Sequence, residues 1–371
     1  MRHDTRIIFS LASLLSTSDA YQPYPLLSAK LSKIFPEEIF IMLNVLCRIP
    51  NHVGDCCMAL PGLRLLEASG LTPVLTGKRW AEDLLAGTGW RFEPIEGHVT
   101  EDLGRIRNIA RRWGEHPKGL LFPNSLSSAL LYRIGGIRSA GFPTDFRRIL
   151  LDTVVPEPNT VVHEVERFFI LAHEALEAWD IKPAWDKVPP SLGLIPLKRH
   201  EAGARNLRAQ CHIPANYALL APIARGLHHG KEKHWKHFNE LCRPLRDMGI
   251  EPVVFPAARE VELAKAACPD AKICPPTSLG TIAALAKHAR VVIANDSGMS
   301  HVAAAVGANQ ITLIGVTNPV RTRPWNPRAI VLGSENGWPT VDEVLGAMKK
   351  IVTASCKPAS FCLLTIALKH C

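Results

Sequence analysis

A chain of 371 residues, 47% hydrophobic and 21% charged, can fill two ordinary domain cores, and this composition excludes a disordered or fibrous polypeptide. The formal net charge of +9 favours anionic partners. No basic run interleaved with aromatics and no zinc-finger or RNA-binding signature is present, so nucleic acid is not the expected partner, and a phosphorylated lipid or sugar suits the charge equally well.

At the start, residues 1–20 combine basic positions, a short apolar run and small residues in the manner of a weak secretory signal. Met42 stands immediately before the first strand, so residues 1–41 are expected to be an extension from an over-long start. The ten cysteines have no metal-ligand spacing and read as buried apolar thiols of a reducing compartment, which makes the expected location cytoplasmic. The longest apolar runs are too short to span a bilayer, and residues 361–368 read as a packing segment or tail.

The first strand is expected at 43–49, followed by a loop at 50–55 and a helix at 56–68 with Pro61 inside it. A second strand at 72–76, a helix opening at 81–86 and a strand at 119–123 come next. That strand runs into Asn124 and Ser125, which begin a turn rich in residues that cap helices. A strand at 139–142 lies near the basic pair Arg147 and Arg148, and an amphipathic helix at 163–179 closes the first half.

Residues 183–198, with four prolines and little periodicity, are the clearest linker. Beyond it the alternation restarts: helix 200–210, strand 217–221, helix 235–248, strand 252–255 and helix 260–267. Strand 291–295, helix 299–306 stopped by Gly307, strand 311–315 and a terminal helix at 341–351 complete it. Two Rossmann-like α/β lobes, at about 42–190 and 191–350 with a tail at 351–371, are expected to face a cleft.

The turn Asp296-Ser297-Gly298 carries the chemistry. Free N–H groups at a helix start favour a phosphate, Gly298 allows close approach, and Ser297, Ser300 and His301 add donors. From spacing alone, an ordinary capped helix with a surface histidine fits equally well.

The string NDSGMSHVAAAVG, followed by a strand and GVTNPVRTRPW, resembles the nucleotide-sugar site of the ADP-heptose:lipopolysaccharide heptosyltransferases. Members carry a DSG-x-x-H-x-A-A run and then a G-x-T-x-P loop. The resemblance implies a GT-B fold and an inverting transfer of L-glycero-D-manno-heptose from an ADP-sugar donor. The implied acceptor is the lipopolysaccharide core or a lipid A precursor, met in peripheral contact with the inner face of the inner membrane.

In VGDCCMALPGLR, residues Gly54, Asp55, Pro61, Leu63 and Arg64 match the family's G-D-x-x-x-x-x-P-x-L-R segment, whose Asp is taken as the base. The competing reading is that Asp55 caps the helix after it. Lys233 and Trp235 match a K-x-W arrangement, and Lys233 is expected to stabilise charge on the departing diphosphate.

Ser297, Gly298 and Met299 are expected to give backbone contacts to the diphosphate. Asp296 either caps the turn or binds a donor hydroxyl, and His301 either donates to a phosphate or points at the cleft. The family's small or hydroxyl residue before Gly is replaced by Ala224-Arg225-Gly226, so Arg225 is the substitute contact, and Pro256-Ala257 replaces a Gly-rich loop start before Glu260, the nucleoside-side acid. Thr317 sits on the rim with Pro319, Arg321 and Arg323. Arg64, Asn124, Ser125 and Arg147 are the acceptor-side candidates, with Arg138 and Arg148 as further cations.

No Asp-x-Asp pair occurs, so neither a metal nor another cofactor is expected. Two rivals remain: a sugar transferase or epimerase of the same fold with a uridine donor, and a two-lobed protein that binds an anion without reacting it.

Overall fold

In the computed structural model, residues 44–354 are described, apart from Glu115, Arg225, Gly226 and His229. The expectations for residues 1–41, for the segment 361–368 and for Arg225 lie outside the described residues.

The chain builds two lobes on one plan. The first runs β1 (Asn44–Arg48), α1 (Val53–Met58), α2 (Leu60–Ala68), β2 (Thr72–Gly77), α3 (Trp80–Leu85) and β3 (Arg91–Pro94). It continues through α4 (Val99–Arg112), β4 (Lys118–Leu121), α5 (Leu126–Gly135), β5 (Arg138–Gly141), β6 (Thr153–Val154) and α6 (Glu164–Ala178). The second begins with α7 (Lys198–Gln210), β7 (Tyr217–Ala221), a small hairpin of β8 (Leu227–His228) and β9 (Lys231–Glu232), and α8 (Cys242–Asp247). Then follow β10 (Glu251–Val254), α9 (Val261–Ala267), β11 (Lys272–Ile273), α10 (Leu279–His288), β12 (Val291–Asn295) and α11 (Gly298–Ala305). Finally come β13 (Gln310–Ile314), α12 (Pro319–Thr322), β14 (Ala329–Gly333) and α13 (Val341–Ala354).

Both sheets are six-stranded and wholly parallel, in the orders β3-β2-β1-β4-β5-β6 and β11-β10-β7-β12-β13-β14. Each order reverses between its first and fourth strands, β1 beside β4 and β7 beside β12. Ligands of doubly wound sheets bind at that reversal, beyond the carboxyl ends of the strands. Burial on both faces explains why β7 and β12 are apolar but for Asn295, and every residue of β7, β12 and β13 is buried, with Gln310 of β13 donating to Thr312 Oγ1 at 3.0 Å.

Two expected helices are broken by proline. The segment 56–68 is two helices, because Pro61 has no N–H to give and its ring collides with the carbonyl four residues back, so the chain restarts at Leu60. The segment 235–248 becomes a 3₁₀ turn at Asn239–Leu241 and then α8, with Pro244 tolerated in the first turn. The helix read at 163–179 and the strand at 217–221 stand as expected within a residue.

The lobes share apolar packing at their junction: Val302, Ala304 and Ala305 of α11 and Ala283 of α10 join the cluster of Cys56, Leu63 and Leu176. Polar contacts reinforce it. Asp83 of α3 accepts from the Gly280 N–H at 2.7 Å and lies 3.0 Å from His200 Nε2, which ties the start of α10 to the first lobe. Burial alone would hold the Asp83 carboxyl up, but these hydrogen bonds and the nearby His200 charge outweigh it and leave its pKa lowered.

Candidate active site

The first reversal is built around a buried cation. Arg48, the last residue of β1, is 3% exposed and donates to the Ile49 carbonyl and to Asn51 Oδ1, each at 2.6 Å. Those bonds fix the loop that enters α1. The helix starts at Val53 rather than at 56, so Asp55 sits inside its first turn. His52 occupies the cap position and no side chain caps α1, which removes the capping reading of Asp55. Its carboxylate accepts no hydrogen bond from the described residues. Burial raises its pKa and Glu164 adds to the rise, while His52 and Lys233 pull it back. A half-buried carboxylate without partners, made more basic, is equipped to take a proton.

The second reversal faces it. Asn295, wholly buried at the end of β12, accepts from the Trp235 N–H at 2.9 Å and donates to the Pro222 carbonyl at 2.9 Å. The Trp235 indole N–H also reaches the Pro339 carbonyl at 2.8 Å. These bonds seat the loop that carries Lys233, whose charge is felt by both Asp55 and His301. Lys233 forms no ion pair among the described residues.

Between them lies the start of α11. Asp296 binds the Thr317 hydroxyl at 2.5 Å and the Thr322 hydroxyl at 3.3 Å, so it anchors the loop after β13. Gly315 in that loop has no room for a side chain, since a Cβ there would fall 2.0 Å from the Trp338 ring. Ser297 Oγ, Ser300 Oγ and His301 Nδ1 are buried and have no hydrogen-bond partner among the described residues. His301 Nε2 stands 3.9 Å from Asp296, too far for a hydrogen bond. Burial, opposed by Asp296 and aided by His163 and Lys233, depresses the His301 pKa to about 4, so the imidazole is neutral at pH 7.

The two helix starts touch. A Cβ on Gly54 would come within 2.7 Å of His301 Cδ2, and one on Gly298 would meet Val53 Cβ at 3.1 Å. Glycine at both crossing points lets α1 and α11 approach so closely. Asp55 and the three polar atoms are thereby gathered at one junction, with Lys233 near enough for its charge to act on Asp55 and His301. Met299, half-buried, packs against both lobes.

Around this centre α6 and the segment after α12 clasp one another. His163 caps α6 by accepting from the Val165 N–H, and its Nε2–H donates to the Arg323 carbonyl at 2.8 Å. Its ring lies 4.9 Å from that of Trp325, while Glu164 pairs with Arg321 at 2.8 Å. Glu260 is half-buried and stands at the cap position of α9, beyond the carboxyl end of β10. Side chains with metal-ligand spacing gather among the described residues at His173, Glu174 and Glu177. That group lies about three turns further along α6 than Glu164.

Among the acceptor-side expectations, that for Arg147 needs correction. Arg147 is fully buried, not at a surface: it donates to the Phe142 carbonyl at 2.7 Å, to the Pro123 carbonyl and to Asn124 Oδ1 at 3.4 Å. Burial lowers its pKa to about 10, with Arg167 adding to the drop. An acceptor contact needs a side chain free to meet it, and this one is committed to the turn. Arg138 opens β5 at the amino end of the sheet, opposite Asp55, with its guanidinium 3.3 Å from His116. Arg64 pairs with Glu67 at 2.8 Å and lies 4.7 Å from the Trp90 ring centre. Ser125 caps α5 through the Ser128 N–H at 3.4 Å.

Arg48, Asn295, His163 and Glu164 are the positioning residues that the sequence reading does not single out. The one visible signal is Asn295, a polar residue closing an otherwise apolar buried strand.

Residues 112–349 match the model of glycosyltransferase family 9 (heptosyltransferase). Lipooligosaccharide heptosyltransferase 2 of Haemophilus influenzae is 25% identical over 311 residues, covering 78% of this chain and 88% of that protein. Lipopolysaccharide heptosyltransferase 2 of Escherichia coli is 25% identical over 318 residues, covering 80% and 89%. The structure of E. coli ADP-heptose lipopolysaccharide heptosyltransferase II superposes with a TM-score of 0.67 at 23% identity, covering 84% of this chain and 99% of that one. An E. coli heptosyltransferase solved with ADP gives 0.65 at 18% identity, covering 83% and 99%. At these identities the superpositions speak for the fold, which is GT-B.

Proposed function

The chain belongs to glycosyltransferase family 9, the heptosyltransferases, and from that premise we propose that it moves L-glycero-D-manno-heptose from an ADP donor to the lipopolysaccharide inner core with inversion. The lobe of residues 42–190 takes the acceptor and that of 191–350 the donor. Asp55 removes the proton of the acceptor hydroxyl as its oxygen attacks the anomeric carbon from the face opposite the diphosphate. The bond from that carbon to the diphosphate oxygen breaks, and its electron pair leaves with ADP.

Lys233 and the N–H groups of Gly298 and Met299 take up the growing negative charge, with Ser297, Ser300 and His301 completing the cradle. Thr317 acts through Asp296, and Glu260 faces the nucleoside. The departing charge is balanced by Lys233 and the helix start, so the reaction runs without a divalent ion and turnover persists in a chelator. No helix among the described residues is long and apolar enough to cross a membrane. The enzyme meets its acceptor at the inner face of the inner membrane.

The observation that carries this reading is the contact of two helix starts, one bearing Asp55 and the other three buried polar atoms unpartnered among the described residues, where the charge of Lys233 acts on Asp55 and His301. The test pairs a panel of ADP- and UDP-sugars with a defined lipopolysaccharide-core acceptor, read by mass, in the native protein and in Asp55→Asn. Heptose addition from the ADP donor is expected, falling about 10²- to 10⁴-fold in the variant while ADP binding is kept. A variant that retains turnover within threefold, or a preference for UDP donors, defeats it.

A further inference from the structure

The first lobe holds large apolar side chains in water that neither its core nor the proposed transfer uses. On α5, Leu126, Leu130 and Ile134 are 47%, 38% and 40% exposed, and their spacing of four sets them along one face of the helix. A 3₁₀ turn, Arg147–Leu150, packs beside that helix, and there Phe146 is 95% and Ile149 86% exposed. The two elements make one surface. The Arg147 guanidinium holds the Pro123 carbonyl at the head of α5, and Arg133 near its end pairs with Asp152 at 2.9 Å. The segment 147–152 therefore runs alongside the helix.

The turn is built to present these side chains. Asp145 and Phe146 both have positive φ, at 51° and 59°, a conformation that a bulky residue rarely adopts. Buried Arg147 ties down the backbone on either side through the Phe142 and Pro123 carbonyls. A ring on a braced, left-handed turn is held out in solvent, not left there by a loose loop.

Cations border the apolar face. Arg148 is exposed on the turn itself, and Arg107, Arg111 and His116 share with Ile134 a depression of about 340 Å³ where the stripe ends. Arg107, Arg111 and Arg148 form no ion pair among the described residues. Asp152 is neutralised by Arg133, and Asp145 stands beside Phe146. Apolar side chains bordered by arginines that lack an ion pair among the described residues suit a surface that is apolar within and anionic at its rim, as an acidic bilayer is. A second copy of the chain would bring like charges together.

We propose that the α5 stripe and the Phe146–Ile149 turn form a docking face for an anionic lipid bilayer. Phe146, Ile149, Leu126 and Leu130 enter the headgroup boundary and the arginines meet lipid phosphates. Docking brings the enzyme to a lipid-borne acceptor, and the Leu126 end of the stripe lies at the carboxyl end of β4, the end of the sheet that also carries Asp55. The purpose assigned to docking rests on the reading of a lipid-borne acceptor, but its test does not.

The full chain is sedimented with vesicles of phosphatidylglycerol and phosphatidylcholine, and with phosphatidylcholine alone. Binding to the anionic vesicles is expected, about tenfold weaker in the double variant Phe146→Ser, Ile149→Ser, with the Tm and turnover on a water-soluble acceptor fragment unchanged. Arg107→Gln with Arg148→Gln is expected to weaken anionic-vesicle binding alone. Equal partition of native and double-variant protein overturns the proposal, as does a native dimer that the double variant converts to monomers without loss of vesicle binding. Absent turnover on the soluble fragment would strike the heptose-transfer reading instead, leaving the vesicle result to stand by itself.

Discussion

The turns that open α5 and α11 occupy the same topological place, each following the strand that lies across the reversal of its sheet. Their polar groups have opposite fates. At α5, Ser125 and Ser128 hydrogen-bond each other at 2.7 Å, and Asn124 accepts from Arg147. At α11, Ser297, Ser300 and His301 each bury a polar atom with nothing to bond. A buried unsatisfied group costs about 1–3 kcal/mol, so three in one turn are kept only where something else completes them. On the proposed reading the closed turn is scaffold and the open one is where the donor's phosphate oxygens bind.

The sharpest way to break that contrast is Arg147→Met. It strips the Phe142 and Pro123 carbonyls and Asn124 of a shared donor inside the fold, which should lower stability by about 3–4 kcal/mol, read from the denaturant midpoint. ADP affinity of the protein that remains folded should not change, as measured by calorimetry. Weakened ADP binding with an unmoved midpoint would place Arg147 in the receptor and erase the distinction.

Acid tests the open turn directly. His301 has a folded pKa of about 4 against about 6.5 when unfolded, so between those values the unfolded chain holds more protons. Its contribution is therefore complete above about pH 6.5 and is lost as pH falls towards 4, by at most about 3 kcal/mol. His163, also depressed by burial, acts in the same direction. The Tm should fall over that range, and His301→Gln should flatten the fall without abolishing it. An identical pH profile in the variant would show that His301 is not the buried base described.

These two turns also show what a sequence discloses. The parallel architecture is legible because β7 and β12 are buried on both faces and so read as unbroken apolar runs. The strand β14, AIVLG, carries such a run and the sequence reading omits it, whereas the edge strand β3, RFEP, escapes because it has no buried residue and no apolar run. The helix α10 escapes for the opposite cause, being buried almost throughout at the lobe junction and lacking a polar stripe. The helix α4 does carry one, with Ile106 and Ile109 buried among charged neighbours, and the sequence reading omits it.

Within the site, Asp55 and the Asp296–His301 turn can be found because a residue pattern accompanies them. Arg147 misleads because a basic pair in sequence cannot tell which guanidinium folds inward. Arg148 points out and Arg147 in, and only the carbonyls of Phe142 and Pro123 decide between them.

The smallest expected effect probes how the closed lobe reaches the reaction. Arg321 of the second lobe is 56% exposed and pairs with Glu164, so Arg321→Ala should cost less than about 1 kcal/mol of stability. Its chemical consequence is more telling. Glu164 already pushes the Asp55 pKa upward, and without its partner that push is no longer offset. A general base works only when deprotonated, so the acid limb of the kcat/KM profile should move to higher pH in Arg321→Ala. Glu164→Gln should move it the other way, since the repelling charge is gone. Shifts of opposite sign in the two variants would tie the inter-lobe clasp to the ionisation of Asp55, whereas shifts of the same sign would mean that both merely loosen the junction.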